Sequence, residues 1–186
     1  EWVRMVAERH PEARIALVSS SLSEARSVMV EGESGILACS PPDMPPVFEP
    51  SLRRIRFANG AQVQLFSATD PESLRGPQHS HAWCDEIGKW PLSAERATRS
   101  WNNLLMGLRV MSRPQVVVTT TPRTVPLVRR LLNQENSEAT VITRGTTYEN
   151  AGNLPRRFFD AIEEEFSGTQ LARQEICGDF LDDIEG

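Results

Sequence analysis

Apolar positions in this chain come in short runs between polar segments, and the spacing alternates between a helical and a strand-like period. Residues 1–9 set Trp2, Met5, Val6 and the stem of Arg9 on one helical face, and His10-Pro11 ends the run. "RIALVSSS" predicts a short buried strand with a serine-rich exit. "LSEARSVMVEG" predicts a helix with Ser21 or Ser23 near its cap. Prolines crowd residues 40–50, where an extended loop is expected. In "RRIRFANGAQVQLFSAT", Ile55 and Phe57 alternate with arginines, and Val63 and Leu65 alternate with glutamines. Asn59-Gly60 lies between them, predicting a hairpin closed by a type I′ turn. "HAWCDE" predicts a strand, residues 93–109 a helix, "QVVVTTTP" a strand, residues 124–134 a helix and "ATVITRG" a last strand. Residues 155–177 predict one or two amphipathic helices with no strand between them. Short apolar strands separated by helices imply an α/β fold, a largely parallel sheet flanked by helices.

Composition narrows the classes. A chain of 186 residues suits one domain with a sizeable core. No apolar run is long enough to cross a bilayer and no export signal is visible, so no membrane partner is expected. Because the chain begins at Glu1 rather than Met, it is expected to be a piece of something longer. Cys39, Cys84 and Cys177 are odd in number and widely spaced, which favours a reduced, cytoplasmic protein over a disulfide or zinc scaffold. A net charge of −5 argues against a surface that coats nucleic acid. A local basic groove stays open, because arginines cluster at Arg53, Arg54 and Arg56, and again at Arg123, Arg129 and Arg130. Lys89 is the only lysine.

Candidate chemistry concentrates at strand exits, where a parallel sheet presents side chains to ligands. Three exits carry unusual residues: Ser19–Ser21, Asp85-Glu86 and Thr119–Pro122. An apolar strand ending in Asp-Glu is the Walker B pattern, in which the Asp holds Mg²⁺ and the Glu polarises the attacking water. Only a strand's end can aim two adjacent acids at one region, since neighbouring residues within a strand point apart. Acid pairs also occur at strand ends with no such role. A hydroxyl-rich loop on a nearby strand can sense a γ-phosphate, or can be a polar strand cap.

"SLRGPQHSHAWCDEIGKW" followed by "VVVTTTPR" resembles the ATPase domain of phage terminase large subunits, with prophage and gene-transfer-agent terminases most similar. The resemblance runs over most of the chain. It implies a P-loop NTPase core of the ASCE type, with residues 1–144 as the ATPase core and residues 145–186 as a helical lid or linker toward a nuclease domain. It also implies ATP and Mg²⁺ as cofactors, and double-stranded DNA, a portal protein, a small terminase subunit and a homo-oligomeric ring as partners. By this likeness Asp85 would hold magnesium and Glu86 would activate water. Thr119, Thr120, Thr121 and Pro122 would couple hydrolysis to DNA movement. Arg75, in "SLRGP", would reach a neighbouring subunit's site as an arginine finger, its guanidinium neutralising charge on the transferred phosphoryl.

One departure is large. The chain holds no G-x-x-x-x-G-K-[ST], and its single lysine follows the acid pair, so the Walker A segment and the adenine-binding segment are both lacking. Residues 1–9 look like the helix after that loop, and the chain alone is expected to bind ATP poorly and hydrolyse little. A non-catalytic, degenerate terminase-like assembly or DNA-binding module is the alternative. A DExD/H-box helicase fits less well, because Ile87-Gly88 follows the acids and Ser67-Ala68-Thr69 precedes them. A zinc site at His79, His81 and Cys84 would be splayed across a strand's two faces. Trp83 and Trp90 invite base stacking or packing, and Arg53, Arg54 and Arg56 either meet phosphate or form a solvated face. "CGDFLDD" resembles the join to the nuclease domain, with Asp182, Asp183 and Glu185 read as a solvated tail.

Overall fold

Ile15, Ala16, Leu17 and Val18 are almost completely excluded from solvent, so the strand that carries them must be covered on both faces and both edges. In the computed structural model, which describes residues 1–91, 93–135, 137–166, 169, 176–178 and 180, that strand is β1 (Arg14–Ser19). The others are β2 (Val47–Glu49), β3 (Arg54–Arg56), β4 (Gln62–Ser67), β5 (His81–Cys84) and β6 (Gln115–Val118). They form one sheet in the order β2-β3-β4-β1-β5-β6. β4, β1, β5 and β6 run parallel, and β2 and β3 add an antiparallel edge. The helices are α1 (Trp2–Arg9), α2 (Leu22–Glu24), α3 (Ala94–Gly107), α4 (Pro126–Leu132) and α5 (Arg156–Phe166). The chain divides into two compact units, Glu1–Thr119 and Thr120–Gly186, and the whole sheet lies in the first.

Alternation along the strands splits the first unit into two layers. Ile15, Leu17, Ile55, Val63 and Leu65 share one core cluster with Val3, Val6 and Ala7 of α1 and with Ala25, Met29 and Val30 beyond α2. The buried face of α1 is therefore Val3, Val6 and Ala7 with Trp2 at its margin, while Met5 is half-buried and Arg9 exposed, a correction to the expected stripe. On the far side α3 packs on the turn Pro71–Leu74 and buries Ala97, Trp101 and Leu104. The Ser100 hydroxyl donates to the Ala68 carbonyl at 2.7 Å, and the Asn103 amide donates to the Pro71 carbonyl at 2.8 Å, fixing the helix beside the exit of β4. Ser93 caps α3 by accepting from the Arg96 N–H.

Local chemistry decides the departures from the expected elements. Ser21 caps α2, but the helix widens at once into a π-helical stretch over Ala25–Val30, closed by the Glu31 N–H donating to the Arg26 carbonyl. The proline-rich loop contains β2, whose Glu49 accepts a hydrogen bond at 2.8 Å from Arg54 on the neighbouring strand. Such a short edge strand leaves too few residues to show a period. The hairpin is present but its turn is not type I′. Phe57 N–H donates to the Ala61 carbonyl and Gly60 N–H to the Phe57 carbonyl, so three residues form the loop and only Gly60 has positive φ, 107°. Asn59 keeps a negative φ because its side chain is engaged elsewhere. Its amide donates at 2.8 Å to the Ala7 carbonyl at the end of α1, and its oxygen accepts from the Ala61 N–H.

The second unit carries α4, α5 and a turn of 3₁₀ helix over Thr147–Asn153 that opens with a reciprocal Thr146–Glu149 cap. The strand expected at "ATVITRG" does not form: residues 140–146 are irregular and Val141 is 89% exposed. A strand needs a partner for its ladder, and the second unit offers none among the described residues. The last part of the helix expected over 155–177, and Asp182, Asp183 and Glu185, lie outside the described residues. Among the described residues no helix is long and apolar enough to cross a membrane.

Two buried histidines, His79 and His81, make the first unit pH-sensitive, burial lowering the pKa of each. His79 is 2% exposed, packs edge-on against Phe66 at 5.3 Å, and leaves Nε2 without a partner. Desolvation lowers its pKa from 6.5 to about 4. The folded imidazole stays neutral while the unfolded one takes up a proton below its ordinary pKa, so stability is full above pH 6.5 and falls as the pH drops toward 4. The unfolding free energy from urea titrations of the unsubstituted chain should lose no more than about 3 kcal/mol to His79 across this window. A His79→Gln variant should flatten that slope while starting from a lower value at neutral pH.

Candidate active site

Parallel pairing brings the carboxyl ends of β1, β5 and β6 side by side. Val18 registers with Cys84, and Cys84 with Val118, so the next residues, Ser19, Asp85 and Thr119, stand at one rim. Backbone hydrogen bonds lock the alignment: the Asp85 N–H donates to the Val18 carbonyl at 2.8 Å, the Thr119 N–H to the Cys84 carbonyl at 3.0 Å, and the Ile87 N–H to the Thr119 carbonyl at 3.2 Å. The Thr119 hydroxyl donates to Asp85 Oδ1 at 2.7 Å. In turn the Trp83 indole N–H approaches Thr119 Oγ1 at 3.4 Å. The acid of one strand exit and the first hydroxyl of the next are therefore in direct contact.

Glu86, with Arg53 and Met111, is one of three non-glycine residues among those described that have a positive φ. Its φ is 46° and ψ is 54°, the left-handed region that a non-glycine residue occupies at a cost of about 1–2 kcal/mol. A short 3₁₀ turn over Ile87–Lys89 follows, and Trp90, 3% exposed, turns its indole N–H back onto the Asp85 carbonyl at 3.1 Å. Both acids are half-buried. Beneath them Cys84 is buried, and burial, helped by the charge of Asp85, pushes its thiol well above the ordinary value, so it stays protonated and unreactive.

Asp85, like Glu24 and Glu149, is engaged by neutral donors, unlike the acids bound by arginine. Glu31 is held by Arg26, Glu49 by Arg54 and Glu135 by Arg144, and the guanidinium hydrogen bonds draw each carboxyl below its ordinary value. Among the described residues no ion pair reaches Asp85; its partner is a neutral hydroxyl. A carboxylate so held has no cationic partner and keeps spare lone pairs. With the hydroxyl beside it, this is a set of hard oxygens suited to Mg²⁺, an ion that keeps most of its waters and takes one or two carboxylates from a protein. No group of three or more His, Cys, Asp or Glu able to hold a metal occurs among the described residues, which closes the zinc reading of His79, His81 and Cys84.

The other predicted residues fall elsewhere. Arg75 ends the turn Pro71–Leu74, highly exposed, with Glu72 at 3.8 Å; Glu72 also receives Arg99 of α3 at 2.6 Å. Thr120, Thr121 and Pro122 belong to the second unit, where the Thr120 hydroxyl donates to the Thr121 carbonyl. Two residues at the rim were not singled out from the sequence as site residues. Glu24 accepts from the hydroxyls of Ser19 and Ser20, so a third carboxylate lies at the neighbouring exit. Its signal was faint: an acid three residues after a capping serine. Trp90 was read for stacking or packing, and no pattern tied its indole to a carbonyl five residues earlier.

A mixed, mostly parallel sheet flanked by helices matches the P-loop-type fold of terminase ATPase domains. The chain belongs to the family described as terminase large subunit, T4likevirus-type, N-terminal, which matches residues 1–186. Among solved structures, the large terminase of a thermophilic bacteriophage is similar at 12% identity with a TM-score of 0.75, covering 97% of this chain and 44% of that one. The same terminase in complex with ATP-gamma-S gives 13% identity, a TM-score of 0.73, and 97% and 43% coverage. The large terminase ATPase domain of Thermus phage P74-26 gives 14% identity, a TM-score of 0.63, and 96% and 81% coverage. This chain thus spans less than half of the full-length phage terminase it resembles. No curated protein matches it.

The Thr119–Asp85 contact is testable by itself. Thr119→Val, equal in shape but without the donor, should lower stability by about 0.5–1 kcal/mol at neutral pH, the discount reflecting an exposed hydroxyl. Thr119→Ser should retain most of it. Loss in Thr119→Ser with none in Thr119→Val would show that the methyl group, not the hydrogen bond, matters at this position.

Proposed function

We propose that this chain is the catalytic core of an ATP-driven motor that moves double-stranded DNA into a phage or phage-like procapsid. The observation that carries the reading is the acid pair at the end of β5 with the Thr119 hydroxyl on Asp85, at the rim shared with β1 and β6. Asp85 would hold magnesium through its water shell, and the ion, when bound, would draw charge from the triphosphate oxygens. Glu86 would orient and polarise the attacking water, accepting its proton as the bond to phosphorus forms. Thr119, followed by Thr120, Thr121 and Pro122, would link the state of that site to DNA movement, since Thr119 touches the magnesium-holding carboxylate and leads directly into the second unit's chain. Arg75, exposed and with Glu72 as its ion-pair partner, is suited to complete the site of a neighbouring copy in a homo-oligomeric ring.

The same reading assigns residues 145–186 to a lid or linker, a portal protein and a small terminase subunit as partners, and the cytoplasm of a bacterial host as the place of work, with a prophage or gene-transfer agent as the source. DNA contact by Arg53 and Arg56 fits their exposure on the outer hairpin, while Arg54 is engaged by Glu49. Without a P-loop lysine, the 186 residues alone would hold a triphosphate weakly against their own carboxylates.

The test is steady-state ATP hydrolysis by the intact natural gene product, with and without double-stranded DNA, beside its Glu86→Gln variant. DNA-stimulated turnover should fall by about 10²- to 10⁴-fold in the variant with KM for ATP little changed. Absence of turnover in the unsubstituted protein would favour the other reading, a degenerate terminase-like module that assembles or binds DNA; the lone lysine, Lys89, placed after the acid pair, is the observation on its side.

A further inference from the structure

Glu86 occupies a backbone conformation that glycine adopts without penalty, yet the position carries a long charged side chain. The two peptide planes flanking its Cα account for this. The plane between Glu86 and Ile87 is pinned twice, by the Lys89 N–H donating to the Glu86 carbonyl at 2.8 Å and by the Ile87 N–H donating to the Thr119 carbonyl at 3.2 Å. The plane between Asp85 and Glu86 is held through the Asp85 carbonyl, which accepts from the Trp90 indole N–H at 3.1 Å. With both planes fixed, φ and ψ of Glu86 follow from geometry. Of these three hydrogen bonds, that of Trp90 alone comes from a side chain, and that side chain is 3% exposed, so packing leaves its ring little freedom.

We propose that Trp90 is a positioning residue: its indole N–H holds the Asp85–Glu86 peptide so that Glu86 stays left-handed and its carboxylate leaves the strand end in a fixed direction. The proposal rests on the reading of Glu86 as the water-polarising group. Its physical core, a tryptophan that imposes backbone strain on an acid, does not depend on that reading. Strain retained at one residue by the packing of another is the signature of a site arranged for use rather than for stability. Phenylalanine could fill the same space but would leave the carbonyl without its donor.

A double-mutant cycle on the 186-residue chain tests the strain. Glu86→Gly removes the left-handed penalty in the unsubstituted chain but brings only glycine's entropic cost once the turn has relaxed. The change in the unfolding equilibrium constant from Glu86→Gly should therefore be less favourable in a Trp90→Phe background, by on the order of five-fold. An equal change in both backgrounds would overturn the proposal. Trp90→Tyr offers a second route to the same cycle if the phenylalanine variant does not fold.

In the intact protein, Trp90→Phe should lower kcat for ATP by about ten-fold or more with KM within about two-fold, the split expected when a catalytic group is misaimed while nucleotide binding stays intact. Unchanged kcat would overturn the positioning role. If the unsubstituted intact protein turns over no ATP, the hydrolase reading fails, while the cycle still decides whether Trp90 imposes the strain.

Discussion

Everything at the rim depends on β1 being hydrogen-bonded along both edges to parallel strands. Parallel ladders align strand directions, so the carboxyl ends of β4, β1, β5 and β6 must all emerge on one side. Register then matters as much as direction. With Val18 opposite Cys84 and Cys84 opposite Val118, the first residue past each strand falls at the same height. A slip of one residue between β5 and β6 would send the Thr119 hydroxyl to the other face and away from Asp85. Backbone hydrogen bonds beyond the ladder hold that register: the Thr119 N–H on the Cys84 carbonyl and the Ile87 N–H on the Thr119 carbonyl.

The elements that the sequence announces are those whose partners impose a period. β1 reads as an unbroken apolar run because both its faces are covered, and α3 is bounded correctly because Ser93 caps it and its buried positions recur at helical spacing. The misreadings share a cause, an interaction with a distant residue that overrides a local signal or the want of one that a local signal requires. Asn59-Gly60 is a strong type I′ pair, but the Asn59 side chain is drawn to the Ala7 carbonyl, 52 residues away in sequence, and the loop opens to three residues. The residues of "ATVITRG" have strand propensity and, among the described residues, no strand in their unit to bond. β-propensity describes how side chains fit a sheet, so without a sheet it produces no strand.

The site was legible where chemistry coincides with position in an element. Asp85, Glu86 and Thr119 could be singled out as candidates because a run of apolar residues ends at the start of each pair or loop, and strand ends are where a parallel sheet exposes side chains. Trp90 and Glu24 could not be found that way. The contribution of Trp90 is one hydrogen bond to a carbonyl, and whether a tryptophan makes it depends on the 3₁₀ turn between them. Glu24 lies on a helix, and its partners Ser19 and Ser20 reach it only because the chain turns sharply between β1 and α2.

The charge of a carboxylate's partner decides how much of its own charge is left to offer a cation. An arginine bonded to a carboxylate lowers that group's pKa and uses its lone pairs, which suits Glu49 bridging two strands or Glu135 anchoring a loop, and leaves little to offer a cation. A threonine hydroxyl orients Asp85 without bringing a positive charge to it. Asp85 and Glu86 are adjacent acids in a half-buried setting, where the effective dielectric is lower than in water and the cost of keeping like charges together is larger. A fold gains nothing from that arrangement by itself. It becomes favourable only when a compensating positive charge, a divalent cation or a guanidinium, is brought to it.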